Sequence, residues 1–237
     1  MRSLQLGSQH PIQPIKLVIF DCDGVLLDSE KIGNRVEMEA LKTLNINIDN
    51  ENYQKRFAGV TTKNAFETIA HEAGINLSPK FLATVEKKII KTLEKEVKII
   101  PYVFEALRQI KISKAVASNS HFARLSKFLR SKNLTHFFDG YIFSADMVKH
   151  PKPAPDLYQY VAKKMLVLPR ECLVIEDSVV GIQAAYQAGM KALGFINSQY
   201  STLENQEDLL KAGALQVFFD MRELPNIISK WSKLNDA

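Results

Sequence analysis

The chain has 237 residues, enough for one large domain or for one domain carrying a smaller insert. A hydrophobic fraction of 46% and a charged fraction of 24% are those of an ordinary soluble globular protein, which sets aside disordered and fibrous classes. The net charge of +5 comes from lysines spread along the chain, without the dense basic run that would point to nucleic acid.

Residues 1–16, MRSLQLGSQHPIQPIK, hold no apolar core of signal-peptide length and read as a loose lead-in. No apolar run approaches the ~18 residues of a membrane span. KLVIF, residues 16–20, predicts a short buried strand. Ile32, Val36, Ala40 and Leu44 repeat every four residues and predict a helix over 30–44, with Asp28 and Ser29 placed to cap it. Ala65, Phe66, Ile69, Ala70 and Ala73 fall on one helical face, and Gly74 is a plausible stop. Phe81, Leu82, Val85, Ile89, Leu93 and Val97 form a further stripe over 79–97. Up to about residue 98 the pattern is helical.

After IIPYV the texture changes to alternation. Helices separate the strand-like runs KAVAS, GYIFS, CLVIED, KALGF and LQVFF, and a last helix carries Trp231. Alternation of this kind implies a parallel sheet covered on both faces. The expected fold class is therefore α/β, a doubly wound parallel sheet formed by residues 1–31 and 99–237, interrupted by a helical insert over residues 32–98. Cys22 and Cys172 lie beside apolar runs at a spacing unlike a zinc site, so both read as buried structural thiols, and a reducing cytoplasm is the expected location.

In open parallel sheets, ligands bind beyond the carboxyl ends of the strands. KLVIF runs into Asp21 and Asp23, KAVA ends at Ser118 and Asn119, YIFS leads to a loop with Lys149, His150 and Lys152, and CLVI ends at Glu176 and Asp177. Asp21, Asp23, Glu176 and Asp177 make an all-oxygen anionic cluster that suits Mg²⁺. Like charges so close need a cation to remain ionised together. Lys152 and Ser118 supply a positive charge and a donor for a phosphate. A carboxylate aimed at that phosphate can form an aspartyl-phosphate, and a second, two residues on, can give and take the proton. Gly24 would let the backbone approach the phosphate and donate its N–H. Asn119 is open between a phosphate contact and a cap, Ser118 could also cap a helix, and Glu176 either binds the ion or stands behind a ligand. Lys149, His121 and His150 read as loop residues.

FDCDGVLLDSE, ASNS, KPAPDLY and IEDSVVGIQAA resemble, in the same order, the four motifs of the haloacid dehalogenase superfamily. The chain is most similar to the β-phosphoglucomutase-like subfamily, which has a small helical cap after the first motif, and within it to the 6-phosphogluconate phosphatase branch. The resemblance implies Asp21 as the phosphorylated nucleophile. It implies Asp23 as general acid and base with its carbonyl on the metal, Ser118 and Lys152 as phosphate holders, and Glu176 and Asp177 as metal-site acids. It further implies Mg²⁺ as cofactor and a small phosphorylated metabolite, such as a sugar or sugar-acid phosphate, as substrate. A monomer with neither nucleic acid nor membrane as partner completes the expectation.

A sugar phosphomutase of the same subfamily is the main rival. Mutases of this kind carry a histidine early in the cap, an arginine in the cap loop and a lysine after the second-motif serine. The corresponding positions here are Gly33, Thr62 (with Lys63 one place late) and His121, and all three departures favour hydrolysis. Dehalogenase and phosphonatase readings fail on Asp23, and an intact set of motifs disfavours a degenerate binding module. Lys55, Arg56 and Lys63 in the cap are candidates for reading a second anionic group.

Overall fold

The structure is a computed structural model and describes residues 14–57, 60–197 and 203–233. The expected lead-in, up to residue 13, lies outside the described residues, as do residues 58–59 of the cap loop. The chain enters through β1 (Leu17–Phe20) and β2 (Leu27–Asp28), then runs through α1 (Glu30–Lys42), α2 (Asn50–Phe57), α3 (Thr62–Ala73) and α4 (Pro79–Glu96). It returns through β3 (Lys98–Ile99) and alternates: α5 (Val103–Gln109), β4 (Ser113–Ser118), α6 (Phe122–Ser131), β5 (Ile142–Ser144), α7 (Asp156–Met165), β6 (Cys172–Glu176), α8 (Val179–Gln187), β7 (Lys191–Phe195), α9 (Leu203–Ala212), β8 (Gln216–Phe218) and α10 (Leu224–Lys233).

Six strands form one parallel sheet in the order β5-β4-β1-β6-β7-β8. All six runs read as strands from the sequence are present. β1 is central and buried along its whole length, which is why its sequence is a continuous apolar run rather than an alternating one. Val18 and Phe20 pack into one hydrophobic layer with α5, α6 and α10, whereas Leu17 and Ile19 pack into the other with α7, α8 and α9. The chain leaves β1 for β4 on one side and later returns to β6 on the other. The order therefore reverses at β1, and a crevice opens beyond its carboxyl end.

α1 to α4 lie between the two strands of a separate antiparallel ribbon, with Leu27 opposite Ile99 and Asp28 opposite Lys98. Their buried stripes, including Val36, Phe66, Ile89 and Leu93, continue the layer that holds Val18 and Phe20. Gly74 ends α3 at φ 66°, in the left-handed region, as a stop should. Ser29 stands at the N-cap of α1 as expected, but it makes no capping bond there, because its hydroxyl is drawn to Asp23. Among the described residues, no helix is long and apolar enough to cross a membrane.

Candidate active site

In-register pairing of β1 with β4 and β6 sets Phe20 level with Val116 and Ile175. The residues that follow, Asp21, Ala117 and Glu176, therefore arrive side by side at the sheet edge, and the Asp21 N–H donates to the Ile175 carbonyl at 2.9 Å. Lys152, from the loop after β5, lies buried among them. Its ammonium donates to Asp21 Oδ1 at 2.7 Å, Glu176 Oε1 at 2.7 Å and the Ala117 carbonyl at 2.8 Å. Three partners use all the ammonium hydrogens and fix the orientation of the Asp21 carboxylate.

Glu176 is 1% exposed. Besides Lys152 it accepts from the Tyr158 hydroxyl at 2.9 Å, from the Asp177 and Ser178 N–H groups at 3.1 and 3.2 Å, and from the Ser178 hydroxyl at 3.0 Å. With both oxygens so engaged, Glu176 acts on the site mainly by holding Lys152. Carboxylate oxygens of Asp21, Glu176 and Asp177 nevertheless lie within 4.8 Å of one another, a grouping able to hold a cation. Burial pushes the carboxyls of Asp21 and Asp177 up, Lys152 pulling the first back down and Glu30 pushing the second further up.

Asp23 belongs to a different set. Its carboxylate accepts from Ser29 at 2.5 Å, Ser120 at 2.6 Å and Ser118 at 3.4 Å, and an Arg124 nitrogen lies 3.5 Å away. Burial opposes the charge, but the Arg124 guanidinium and the three hydroxyls outweigh it and hold the carboxyl below its ordinary range. Thus hydroxyls and a guanidinium surround the Asp23 carboxylate, while Asp21 stands beside the lysine.

Two residues read as phosphate contacts have protein partners of their own. The Gly24 N–H is not turned to a ligand but donates to the Leu27 carbonyl at 2.8 Å, closing the loop into β2. Glycine is needed for another reason: the backbone has φ +82°, and a Cβ would fall 1.7 Å from Asp177 Oδ2. Asn119, read as either a phosphate contact or a cap, exchanges two 3.1 Å bonds with the Lys152 backbone and so positions that lysine.

Above the sheet edge, α1 to α4 roof a cavity of about 450 Å³ whose lining includes Asp21, Asp23, Ser118, Asn119, Lys152, Glu176 and Asp177. Gly33, Thr62, Lys63 and His121, the positions that differ from mutases, also line it. Lys55 and Arg56 do not, and Arg56 faces Glu72 at 2.6 Å. Lys149 and His150 are exposed, His150 beside Asp156 at 2.9 Å.

Glu30, Glu37, Glu86 and Arg124 are among the lining residues that escaped the sequence reading. Glu37 lies on the buried stripe of α1 between Val36 and Ala40 and accepts from the Tyr53 hydroxyl at 2.9 Å. Burial pushes its carboxyl up, against hydrogen bonds from Thr62 and Tyr53. Arg124 precedes Leu125 and stands four residues before Phe128 on the buried face of α6, with Glu86 of α4 at 3.6 Å. The signal was available: a charged residue on an apolar helical stripe is a burial that needs a reason. Glu30, which opens α1, gave no such signal. Burial, with Asp23 next in effect, pushes its carboxyl up to about 7.

The sequence profile of haloacid dehalogenase-like hydrolases matches residues 18–195. The 6-phosphogluconate phosphatase of Escherichia coli is 30% identical over 182 residues, covering 76% of this chain and 82% of that protein. A fructose-1-phosphate phosphatase of the same organism is 33% identical over 184 residues, covering 74% and 94%. A haloacid dehalogenase-like protein of unknown function from Agrobacterium tumefaciens has a crystal structure that superposes with a TM-score of 0.80 at 38% identity, covering 91% of this chain and 98% of that one. The motifs at four strand ends, the doubly wound sheet with its helical insert and these likenesses agree: the chain belongs to the haloacid dehalogenase-like hydrolases, as an enzyme of their phosphatase kind.

Proposed function

We propose that the chain hydrolyses the phosphate monoester of a small carbohydrate, with Asp21 as nucleophile and Mg²⁺ as cofactor. The observation that carries this reading is the convergence of Asp21, Asp177 and Lys152 on the floor of a cavity roofed by the insert. The donor set fits the ion: hard carboxylate oxygens, close together, with Gly24 clearing space for Asp177. Asp21 and Asp177 would hold Mg²⁺, with Glu176 behind them. When bound, Mg²⁺ supplies positive charge that keeps these carboxylates ionised and draws charge from the phosphate.

Lys152 orients the Asp21 carboxylate, which attacks phosphorus while the ester oxygen leaves. Asp23, two residues on, protonates the leaving oxygen and then takes a proton from the water that cleaves the aspartyl-phosphate. Asp23 enters the cycle protonated, gives that proton to the leaving oxygen and recovers one from the attacking water, so the proton balances over a turnover; Arg124 and the serine hydroxyls stabilise the carboxylate it becomes between the two steps. Residues 1–31 and 99–237 act as the catalytic core and 32–98 as a cap that moves against it about the two-stranded ribbon, excluding bulk water when closed. Hydrolysis is favoured over isomerisation because Gly33, Thr62 and His121 face the cavity where a mutase would carry its histidine, arginine and lysine. The substrates named for the relatives, 6-phosphogluconate and fructose 1-phosphate, support a phosphorylated carbohydrate as the class.

Asp21→Asn keeps the side-chain size and removes the nucleophile. Its turnover of p-nitrophenyl phosphate in Mg²⁺ should fall by about four orders of magnitude, with an unchanged circular dichroism spectrum. A variant keeping a tenth of the wild-type rate would rule out the covalent route.

A further inference from the structure

Of the insert's charged residues, Glu37 and Glu86 stand in the cavity roof, whereas among its lysines and arginines only Lys63 reaches the lining, at the rim. Arg56 faces Glu72 outside the cavity, and Lys63 stands at the rim, 69% exposed and 3.7 Å from Glu67. Glu37 and Glu86, by contrast, line the roof, with side chains of the core's Arg124 between them and the floor. Arg124 is the one guanidinium in the lining, and it is already claimed: Asp23 lies at 3.5 Å, Glu86 at 3.6 Å, and Glu37 also acts on it. A second anionic group that reaches in as far as Arg124 has to take it from one of these acids and leave a like charge beside itself. Hydroxyl groups meet no such obstacle, since carboxylates accept from them and the long Arg124 contacts leave it able to donate.

We propose that Glu37 and Glu86, set around Arg124, determine specificity by admitting a neutral polyol chain and rejecting a substrate with a second anion. This rests on the phosphatase reading above and narrows its substrate to a phosphorylated sugar or sugar alcohol without a carboxylate or second phosphate. Lys55 and Arg56 drop from the list of anion readers, because neither lines the cavity; Lys63 remains at its rim.

Glucitol 6-phosphate and 6-phosphogluconate form a matched pair, because they differ only at C1, where one has a hydroxymethyl group and the other a carboxylate. Calorimetry on the Asp21→Asn protein in Mg²⁺ measures binding of each without depending on turnover. The polyol should bind about tenfold more tightly, the effect of one like charge at close range in a partly solvated site. Adding Glu86→Gln, which removes that charge and keeps the shape, should shrink the ratio of the two dissociation constants by about the same factor. Glu37→Gln serves as a second variant with the same expected direction. Tighter binding of 6-phosphogluconate, failure of both compounds to bind, or a ratio untouched by both glutamine substitutions would overturn the proposal. Hydrolysis of p-nitrophenyl phosphate by the wild-type protein is measured separately, and its absence would strike the phosphatase reading instead.

Discussion

Lys152 is enclosed by its partners: a carboxylate on either side and a carbonyl beneath, with the Tyr158 ring centroid 4.8 Å away. A buried cation of this kind is stable because each N–H has an acceptor, and the acids around it are stable for the reciprocal reason. Gly24 is the second fixed point. Gly24→Ala would press a methyl group into Asp177 Oδ2 at a backbone angle that alanine resists. The expected outcome is a folded protein whose Mg²⁺ requirement in the p-nitrophenyl phosphate assay rises more than about tenfold, the scale of losing one well-placed ligand contact. An unchanged Mg²⁺ dependence would mean that Asp177 does not serve the ion. The two thiols are inert by contrast: burial pushes Cys22 up and Cys172 up to about 12, in keeping with the structural role read from their neighbours.

Among the elements, α6 and α4 carry the contact between sheet and roof. Arg124 meets Glu86 within the cavity, and Lys127 meets Glu94 outside it. The outer pair can be reversed without touching the catalytic groups. Lys127→Glu should favour the open posture and raise KM for p-nitrophenyl phosphate roughly two- to fivefold, the worth of a surface pair. kcat and the unfolding midpoint should barely move; a fall in the midpoint with KM unchanged would make the pair structural only. The legibility of the elements followed their length and their apolar content. β1, β4, β5, β6, β7 and β8 announced themselves as apolar runs, and three of the four roof helices as stripes. α2 did not, because NENYQKRF offers only Tyr53 and Phe57 to the core, one turn apart. β2 and β3 span two residues each, too few to show a period. At the floor, four strand ends spelled out the acids and the lysine. At the roof, Glu37 and Arg124 each stood out as a charge on an apolar stripe, but their meeting with Glu86 was illegible, because the three come from helices that meet only after folding.

For the molecule as a whole, the acidic floor is a source of instability that the proposed Mg²⁺ would relieve. Burial and mutual repulsion act together on Asp21 and Asp177. Mg²⁺ bound at about a hundred times its dissociation constant should stabilise the fold by ~2.7 kcal/mol. For a chain of this size, that corresponds to a rise in Tm of roughly 5–10 °C, reversed by EDTA. Asp177→Asn should lose most of the gain, and a Tm indifferent to Mg²⁺ in both proteins would refute this account of the cluster.

The ribbon of β2 and β3 has a further meaning in polymer terms. Asp28 sits opposite Lys98, so the intervening chain starts and finishes at neighbouring positions. To the sheet, those residues are a loop whose ends are already joined. The entropy of closing a loop grows only as the logarithm of its length, ~0.6 kcal/mol for each doubling. A longer, shorter or differently shaped segment could therefore be spliced between the same two strands at little expense to the sheet beneath. Substrate preference can in this way be exchanged as one contiguous cassette, while the carboxylates and the lysine keep their places.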